Sequence, residues 1–336
     1  MTGFTSVGDL SRFVLLRQSN AQLKTRLSVL SQEMTTGLKA DVPAATGGNL
    51  GRLAQVQGRL ATLESFNRNA SLAQSETSAL QAALEGIAGL ANRGPELQAA
   101  AAMEDEAALD MRAAQATQDF RTAVRLINTE AGGRFALSGT EVGTAPLAPA
   151  EDILALARTQ VAGMTDPVAI SDALDAWFSS NAAGGFLDQA FRGNTEPTST
   201  GVSPDTTIQR ALNASASEFR TLLKGLAMAA LAGEPAAALP HGAKSVLIRA
   251  AGRELSEASL GIVRARATLG MQQESIDQAL ARNAAEGSAL SIARSDILAV
   301  DPYQTASELT QTEANLQNLY ALTARMTKLS LTDYIR

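Results

Sequence analysis

Residues 13–34, FVLLRQSNAQLKTRLSVLSQEM, decide how this chain folds. Phe13, Leu16, Leu23, Leu27, Leu30 and Met34 recur at alternating three- and four-residue steps, with Asn20 in the gap. Such steps put the six side chains on one stripe of an α-helix and read as a coiled-coil seam. A second stretch far along the chain repeats the pattern. Leu309, Leu316, Leu319 and Met326 keep the same steps, with Thr312 and Thr323 filling the gaps. Two seams at opposite ends predict terminal helices that pair. A chain that commits both ends in this way is expected to assemble rather than to catalyse.

Composition agrees with long packed helices. The chain has 336 residues, 45% of them apolar but only 4% aromatic, and alanine is abundant. Alanine has the best helix propensity, whereas a sheet sandwich wants more Val, Ile, Tyr and Phe. The net charge is −6 and no dense Lys/Arg run occurs, which argues against nucleic acid as a partner. Cysteine is absent, so disulfides and thiolate metal sites are excluded. No stretch approaches the ~20 apolar residues of a membrane span, and none has the form of a secretory leader. The expectation is a soluble protein that uses no cleaved signal if it leaves the cell.

The pattern extends inward from both ends. The first helix is predicted from about Val7 to Met34 or Leu38, stopping near Gly37. After the loop composition of residues 41–48, a second helix carries Leu63, Phe66, Ala70, Ala73, Thr77, Leu80, Leu84 and Ile87 on one stripe until Gly94-Pro95. A third starts at Glu104-Asp105-Glu106, carries Leu109, Ala113, Ala116, Phe120, Ala123 and Ile127, and ends before Gly132-Gly133. Beyond Gly242, Leu255, Ile262, Leu269, Ile276, Asn283, Leu290 and Ile297 recur every seven residues, predicting a supercoiled helix on the order of 85 Å long. Gly252, Gly261, Gly270 and Gly287 interrupt it at a cost of roughly 1 kcal/mol each. Asp301-Pro302 then starts the last helix, with Gln304 at the capping-box position.

Most of the prolines fall in the middle, about residues 134–240. Short helices are expected there at 153–164, 170–178 and 208–231, a strand or hairpin arm at 135–140, and a loop at 193–201. The layout is nested. The fold expected is mainly α: an elongated, antiparallel, long-helix coiled-coil bundle with a small mixed or helical insertion at its tip. Residues 1–42 and 301–336 form a terminal coiled-coil domain, 43–133 and 243–300 a helical rod domain, and 134–242 a variable, outward-facing insertion.

No catalytic, cofactor or metal site is expected. His241 is the only histidine, and a zinc site needs several N or S ligands. Glu104-Asp105-Glu106 suits a solvated helix start better than a cation site. Gly47-Gly48-Asn49-Leu50-Gly51 lacks the Gly-Lys-Ser/Thr ending of a phosphate loop. Asn69-Ala70-Ser71 and Asn213-Ala214-Ser215 match a glycosylation triplet that also arises by chance. The candidate functional residues are the terminal stripes, whose apolar extent exceeds what one two-helix contact hides. The assembly interface predicted comprises Leu10, Phe13, Leu16, Leu23, Leu27, Leu30, Met34, Leu309, Leu316, Leu319, Met326, Leu329 and Tyr334. Asn20 and Asn283, at seam positions, are expected to fix register.

The chain resembles bacterial flagellins and, within that superfamily, the hook-filament junction proteins, the third hook-associated protein. Leu27-Ser28-Val29-Leu30-Ser31-Gln32-Glu33-Met34-Thr35-Thr36-Gly37-Leu38 is similar to the flagellin stretch that ends in a small-residue pair and Gly-Leu. Asn67-Arg68-Asn69-Ala70 with the helix from Leu80 to Leu90 resembles the paired rod helix. Gly133-Arg134-Phe135-Ala136-Leu137-Ser138-Gly139-Thr140 resembles the Gly-Arg-aromatic…Ser-Gly segment of junction proteins. Leu319-Tyr320-Ala321-Leu322-Thr323-Ala324-Arg325-Met326 and Leu329-Ser330-Leu331 carry the likeness at the far end, where Asp333-Tyr334-Ile335-Arg336 departs from the leucine-rich flagellin tail. The resemblance implies a structural flagellar subunit joining hook to filament, with filament flagellin as the alternative; a cytoplasmic coiled-coil adaptor is the alternative of another class. It also implies partners among its own copies, hook-associated protein and flagellin. It further implies unfolded export through the flagellar type III apparatus to an extracellular flagellum, and a chaperone on the C-terminal helix.

Overall fold

The computed structural model describes residues 7–45, 47–103, 105–234 and 239–334; the side chains of 7–10, 12, 44–45 and 326–334 lie outside that description. In chain order come α1 (Val7–Thr36), α2 (Val42–Ala45), α3 (Gly51–Ala91), α4 (Gly94–Met103) and α5 (Glu106–Ile127). Then follow β1 (Glu130–Ala131), β2 (Arg134–Phe135), α6 (Ala150–Gln160), α7 (Pro167–Ser179) and α8 (Phe186–Gln189). The hairpin β3 (Thr198–Ser203) and β4 (Thr206–Arg210) leads to α9 (Ser217–Ala232), α10 (His241–Leu298) and α11 (Pro302–Tyr334). The fold is mainly α, as the periodicities require. It divides into two units, Met1–Thr62 with Ala285–Arg336, and Leu63–Ala284; α3 and α10 contribute to both.

In the second unit the predicted stripes are buried. Leu63, Ala70, Ala73, Thr77, Leu80, Leu84 and Ile87 of α3 are in the core, with Phe66 half-buried. All six stripe residues of α5 are buried. On α10, Leu255, Ile262, Leu269 and Ile276 are buried in turn. Local signals set the ends. Asp105 caps α5 by accepting from Ala107 N, and Asp166 caps α7 ahead of Pro167 at the first helical position. Glu104 of the predicted acidic start lies outside the described residues. Gly132 and Gly133, with φ of 60° and 77°, do more than end a helix: they form the tight turn between β1 and β2.

The middle of the chain departs from expectation in three places. Thr198–Gly201, read as loop, lies in β3; Ile208, read as helix, lies in β4. Thr198, Thr200 and Val202 are β-branched; Thr198 and Thr200 pair with Arg210 and Ile208, while Val202 sits at a register shift. The predicted arm at 135–140 shrinks to Arg134–Phe135. Helix α9 is buried almost all round, with Phe219, Leu222, Leu223 and Leu226 packed against α5 and α7. Each such side chain contributes roughly 1.5–3 kcal/mol through burial. One apolar core thus joins α9 to residues of α3, α4, α5, α7 and α10.

Polar groups pin the hairpin to that scaffold. Asn283 is 2% exposed and donates to Val202 O at 2.9 Å, so its place on the seven-residue repeat serves hairpin docking. Asn69 donates to Gly201 O at 3.2 Å, and Gln272 to Gln209 O at 2.7 Å. Asn213 donates to Ala211 O and accepts from Ser215 N. Both asparagines of the glycosylation triplets are therefore engaged in packing. Beneath the hairpin, Glu76 of α3 meets Arg210 Nη1 at 2.9 Å and Arg134 Nε at 3.0 Å.

The α10 glycines divide by environment. A Cβ on Gly252 would lie 2.6 Å from Gly94 O and 2.7 Å from Gln98 Cγ, because α4 crosses α10 there at backbone contact. A Cβ on Gly261 would lie 2.7 Å from Glu218 Cβ. Around Gly270 there is nothing within 4 Å. Gly252→Ala is therefore expected to destabilise the isolated chain by about 1–3 kcal/mol through overpacking. Gly270→Ala is expected to stabilise it by about 0.5–1 kcal/mol through helix propensity. Urea unfolding of both variants checks the opposite signs.

Candidate assembly interface

The first unit is built on α1 and α11, which pack against each other. Several contacts set their antiparallel register. At one end, Gly37 takes φ 71° and terminates α1, its N–H donating to Glu33 O. The chain leaving α1 forms a bridge with the chain entering α11: Lys39 N donates to Leu298 O, and Val300 N to Gly37 O. Asp301 then caps α11, accepting from Tyr303 N and Gln304 N. Gln304 does not reach back as a capping box requires; its amide donates forward to Glu308 at 3.0 Å. Farther along, Arg26 pairs with Glu308 at 2.7 Å. The Gln304 amide and the Arg26 guanidinium hold the Glu308 carboxyl below its ordinary pKa. The Lys24 ammonium sits 6.0 Å from the Tyr320 ring centroid.

The predicted seam residues separate into groups. Leu30 is buried at 4% exposure and belongs to this unit's own core. Leu16, Leu23, Leu27, Leu309, Leu316 and Leu319 are half-buried along the pair. Phe13 and Met34 are exposed, Phe13 at 61%. Leu10, Met326, Leu329 and Tyr334 are helical, but their side chains fall outside the description. The gap residues on α11 are satisfied locally, Thr312 Oγ1 donating to Glu308 O and Thr323 Oγ1 to Leu319 O.

Spacing alone missed an exposed apolar band off the seam. Val14 and Leu15 on α1 are exposed, the latter at 66%, as are Tyr320 and Leu322 on α11. Phe13, Val14 and Leu15 are consecutive, so at 100° per residue they cover most of the α1 circumference. The antiparallel register carries this run toward the end of α1 that faces the second half of α11, where Tyr320 and Leu322 stand. A helix that is apolar all round is a buried helix. The uninterrupted run Phe13-Val14-Leu15-Leu16 was the available signal. Tyr303, at 90% exposure, and Ile292 add apolar surface elsewhere on this unit. Among the described residues no helix is long and apolar enough to cross a membrane, and no group of His, Cys, Asp and Glu is arranged to hold a metal.

Comparison with known proteins bears on what such helices do. The model of the bacterial flagellin N-terminal helical region matches residues 13–142, and that of the C-terminal helical region matches residues 254–335. The two matches span more than half of the chain, in flagellin order, with α1 from Phe13 onward in the first and α11 inside the second. Nine chains of solved structures match. Among them is a provisionally assigned flagellar hook-associated protein from Vibrio parahaemolyticus, with TM-score 0.50 and 12% identity over 73% of this chain and 95% of that one. At that identity the likeness is one of fold. No curated protein matches the chain.

Proposed function

This chain belongs to the bacterial flagellin family and is a structural subunit of the flagellum, and from that premise we propose that it joins hook to filament. The apolar band at Phe13–Leu15, with Tyr320 and Leu322, is the observation that carries the reading. The α1–α11 pair leaves it uncovered, and equivalent helices of neighbouring subunits supply the missing cover. In this reading the predicted interface residues from Leu10 to Met34 and from Leu309 to Tyr334 act together as this surface, except Leu30, which the subunit buries in its own core. Contacts of this head-to-tail kind multiply along a lattice, so modest apolar area per subunit suffices. The Gly133–Thr140 segment, which resembles that of junction proteins, favours the junction over the filament itself.

In this proposal 1–42 with 301–336 is the inner layer of the assembly, 43–133 with 243–300 the rod layer, and 134–242 the outward-facing part. These are layers of the lattice, which cut across the two folding units. Flagellins are a structural, non-enzymatic family whose products form an extracellular appendage, and this chain is assigned no catalysis of its own. It would be exported without a cleaved signal, its C-terminal helix held beforehand by a chaperone. The partners are its own copies, hook-associated protein and flagellin.

Deletion of the gene is the test. Cells with hooks but no filaments, and flagellin lost to the medium, are the expected outcome; normal flagella overturn the junction role. The alternative, a filament flagellin, draws on the fact that both matched models describe flagellin itself. Purified chain that grows long filaments unaided would favour that reading.

A further inference from the structure

The α1–α11 pair has two flanks, and a contact between the helices marks each. On one, the Lys24 ammonium meets the Tyr320 ring; on the other, Arg26 meets Glu308. At about 3.6 residues per turn, positions eleven apart on a helix lie nearly in line. Phe13 is eleven residues before Lys24, and Leu15 is eleven before Arg26. On α11, Leu322 is fourteen residues, about four turns, beyond Glu308. The exposed apolar residues therefore do not share one face. Phe13 and Tyr320 belong to the lysine flank, Leu15 and Leu322 to the arginine flank, and Val14 lies on the back of α1 between them.

Both flanks carry the same order of features. Counted from the Leu38–Ala299 bridge, Leu15 and Leu322 are each 23 residues away, so they stand at one height. Phe13 and Tyr320, 25 and 21 residues away, bracket that height on the other flank. Nearer the bridge, each flank presents one cation and one anion. On the arginine flank these are Arg26 and Glu308. On the lysine flank they are Lys24 and Glu313, each 14 residues from the bridge, and Glu313 makes no ion pair among the described residues. Laid side by side in the same direction, unlike flanks of two copies match apolar pair to apolar pair. On the diagonal they set Lys24 against Glu308 and Arg26 against Glu313. The two patterns are offset by two residues, about 3 Å along the axis. We propose that copies of this chain meet in this way, in parallel, the Phe13–Tyr320 flank of each against the Leu15–Leu322 flank of the next. Such a contact is heterologous, so it continues around a ring or along a lattice instead of stopping at a dimer. It rests on the assembly surface proposed above and names a second copy of this chain as the cover of the apolar band.

The chain contains no cysteine, so introduced thiols are its only ones. Arg17 lies on the lysine flank, seven residues before Lys24, and Ser19 on the arginine flank, seven before Arg26. The two-residue offset brings position 17 of one copy level with position 19 of the next, and neither residue belongs to the apolar pairs. Cells produce the parent chain, Arg17→Cys, Ser19→Cys or the double variant. Sheared appendages are treated with a short bismaleimide, then resolved by denaturing electrophoresis and detected by antibody. Melting of the purified chains establishes that each variant folds. Expected is a ladder of three or more joined copies from the double variant alone, because only it offers a thiol on both flanks. Dimers from either single variant overturn the contact between unlike flanks. A double variant that is present in appendages and stays monomeric overturns the contact while the junction reading stands. A parent chain missing from appendages overturns that reading and the contact together.

Discussion

Replacing Phe13 and Leu15 together by Asp is expected to abolish filament attachment while leaving the isolated chain's melting unchanged. Both side chains are exposed in the free subunit, at 61% and 66%, so neither contributes to its own core. Surface substitutions of this kind shift stability within about 0.5 kcal/mol. In the proposed assembly the same two groups would be desolvated, and losing them would be worth on the order of 2–4 kcal/mol per contact. Two buried carboxylates without partners add to that penalty. The loss recurs at every subunit, so attachment fails cooperatively. Electron microscopy of sheared appendages and melting of purified protein make the check. A variant that still retains filaments would remove Phe13 and Leu15 from the interface. By contrast, Leu30→Asp is a poor probe, because Leu30 is core and its replacement unfolds the unit being tested.

Glu76→Ala is the substitution expected to cost the isolated chain most among its polar positions, about 3–5 kcal/mol. The carboxylate is 6% exposed and is shared by Arg210, itself 10% exposed, and Arg134. Removing it leaves Arg210 buried without its counter-charge beneath the hairpin. At about 2–4 °C per kcal/mol for a unit of this size, the melting temperature falls by roughly 10 °C. The double variant Glu76→Met/Arg210→Met should recover most of the loss, because it removes the buried charge of Arg210 and leaves without its partner only Arg134, whose side chain is 42% exposed. Urea unfolding followed by Trp177 emission measures both. Equal destabilisation by the single and double variants would mean that shape, not charge, holds the hairpin in place.

How much of this was readable in advance follows from the period of each segment. The stripes on α3 and α5 and the first half of α10 were legible because each repeats over many turns and is buried on one side. The acidic start of α5 and the Asp301-Pro302 start of α11 were legible because helix-start signals need only neighbours in sequence. The β3–β4 hairpin was not. Its Thr-rich strand and its Ile208-containing partner are short, and what holds them lies on α3 and α10, as the bonds from Asn69, Gln272 and Asn283 show. Asn283 itself misled, because a polar residue in a heptad looks the same whether its partner is a helix or a strand edge.

The glycines make the same point in the opposite direction. Gly252, Gly261 and Gly270 read as equal interruptions of one helix. Only the crossing of α4 at Gly94 and the approach of Glu218 set the first two apart from the third. Likewise, the interface stripe was drawn at three-four spacing, whereas the exposed band includes Val14, Leu15 and Tyr320, which no single spacing selects.

By itself, the sequence determined that this protein is helical, that its ends carry matching seams, and that it holds no thiol or histidine cluster for chemistry, since periodicity and residue inventory are local properties. The tertiary structure alone decided which seam residues are buried within the subunit and which stay exposed. It also decided which glycines are obligatory and where Lys224 meets Asp175 and Glu254. Burial and charge pairing depend on what other segments bring to a site, and a one-dimensional pattern carries no record of that.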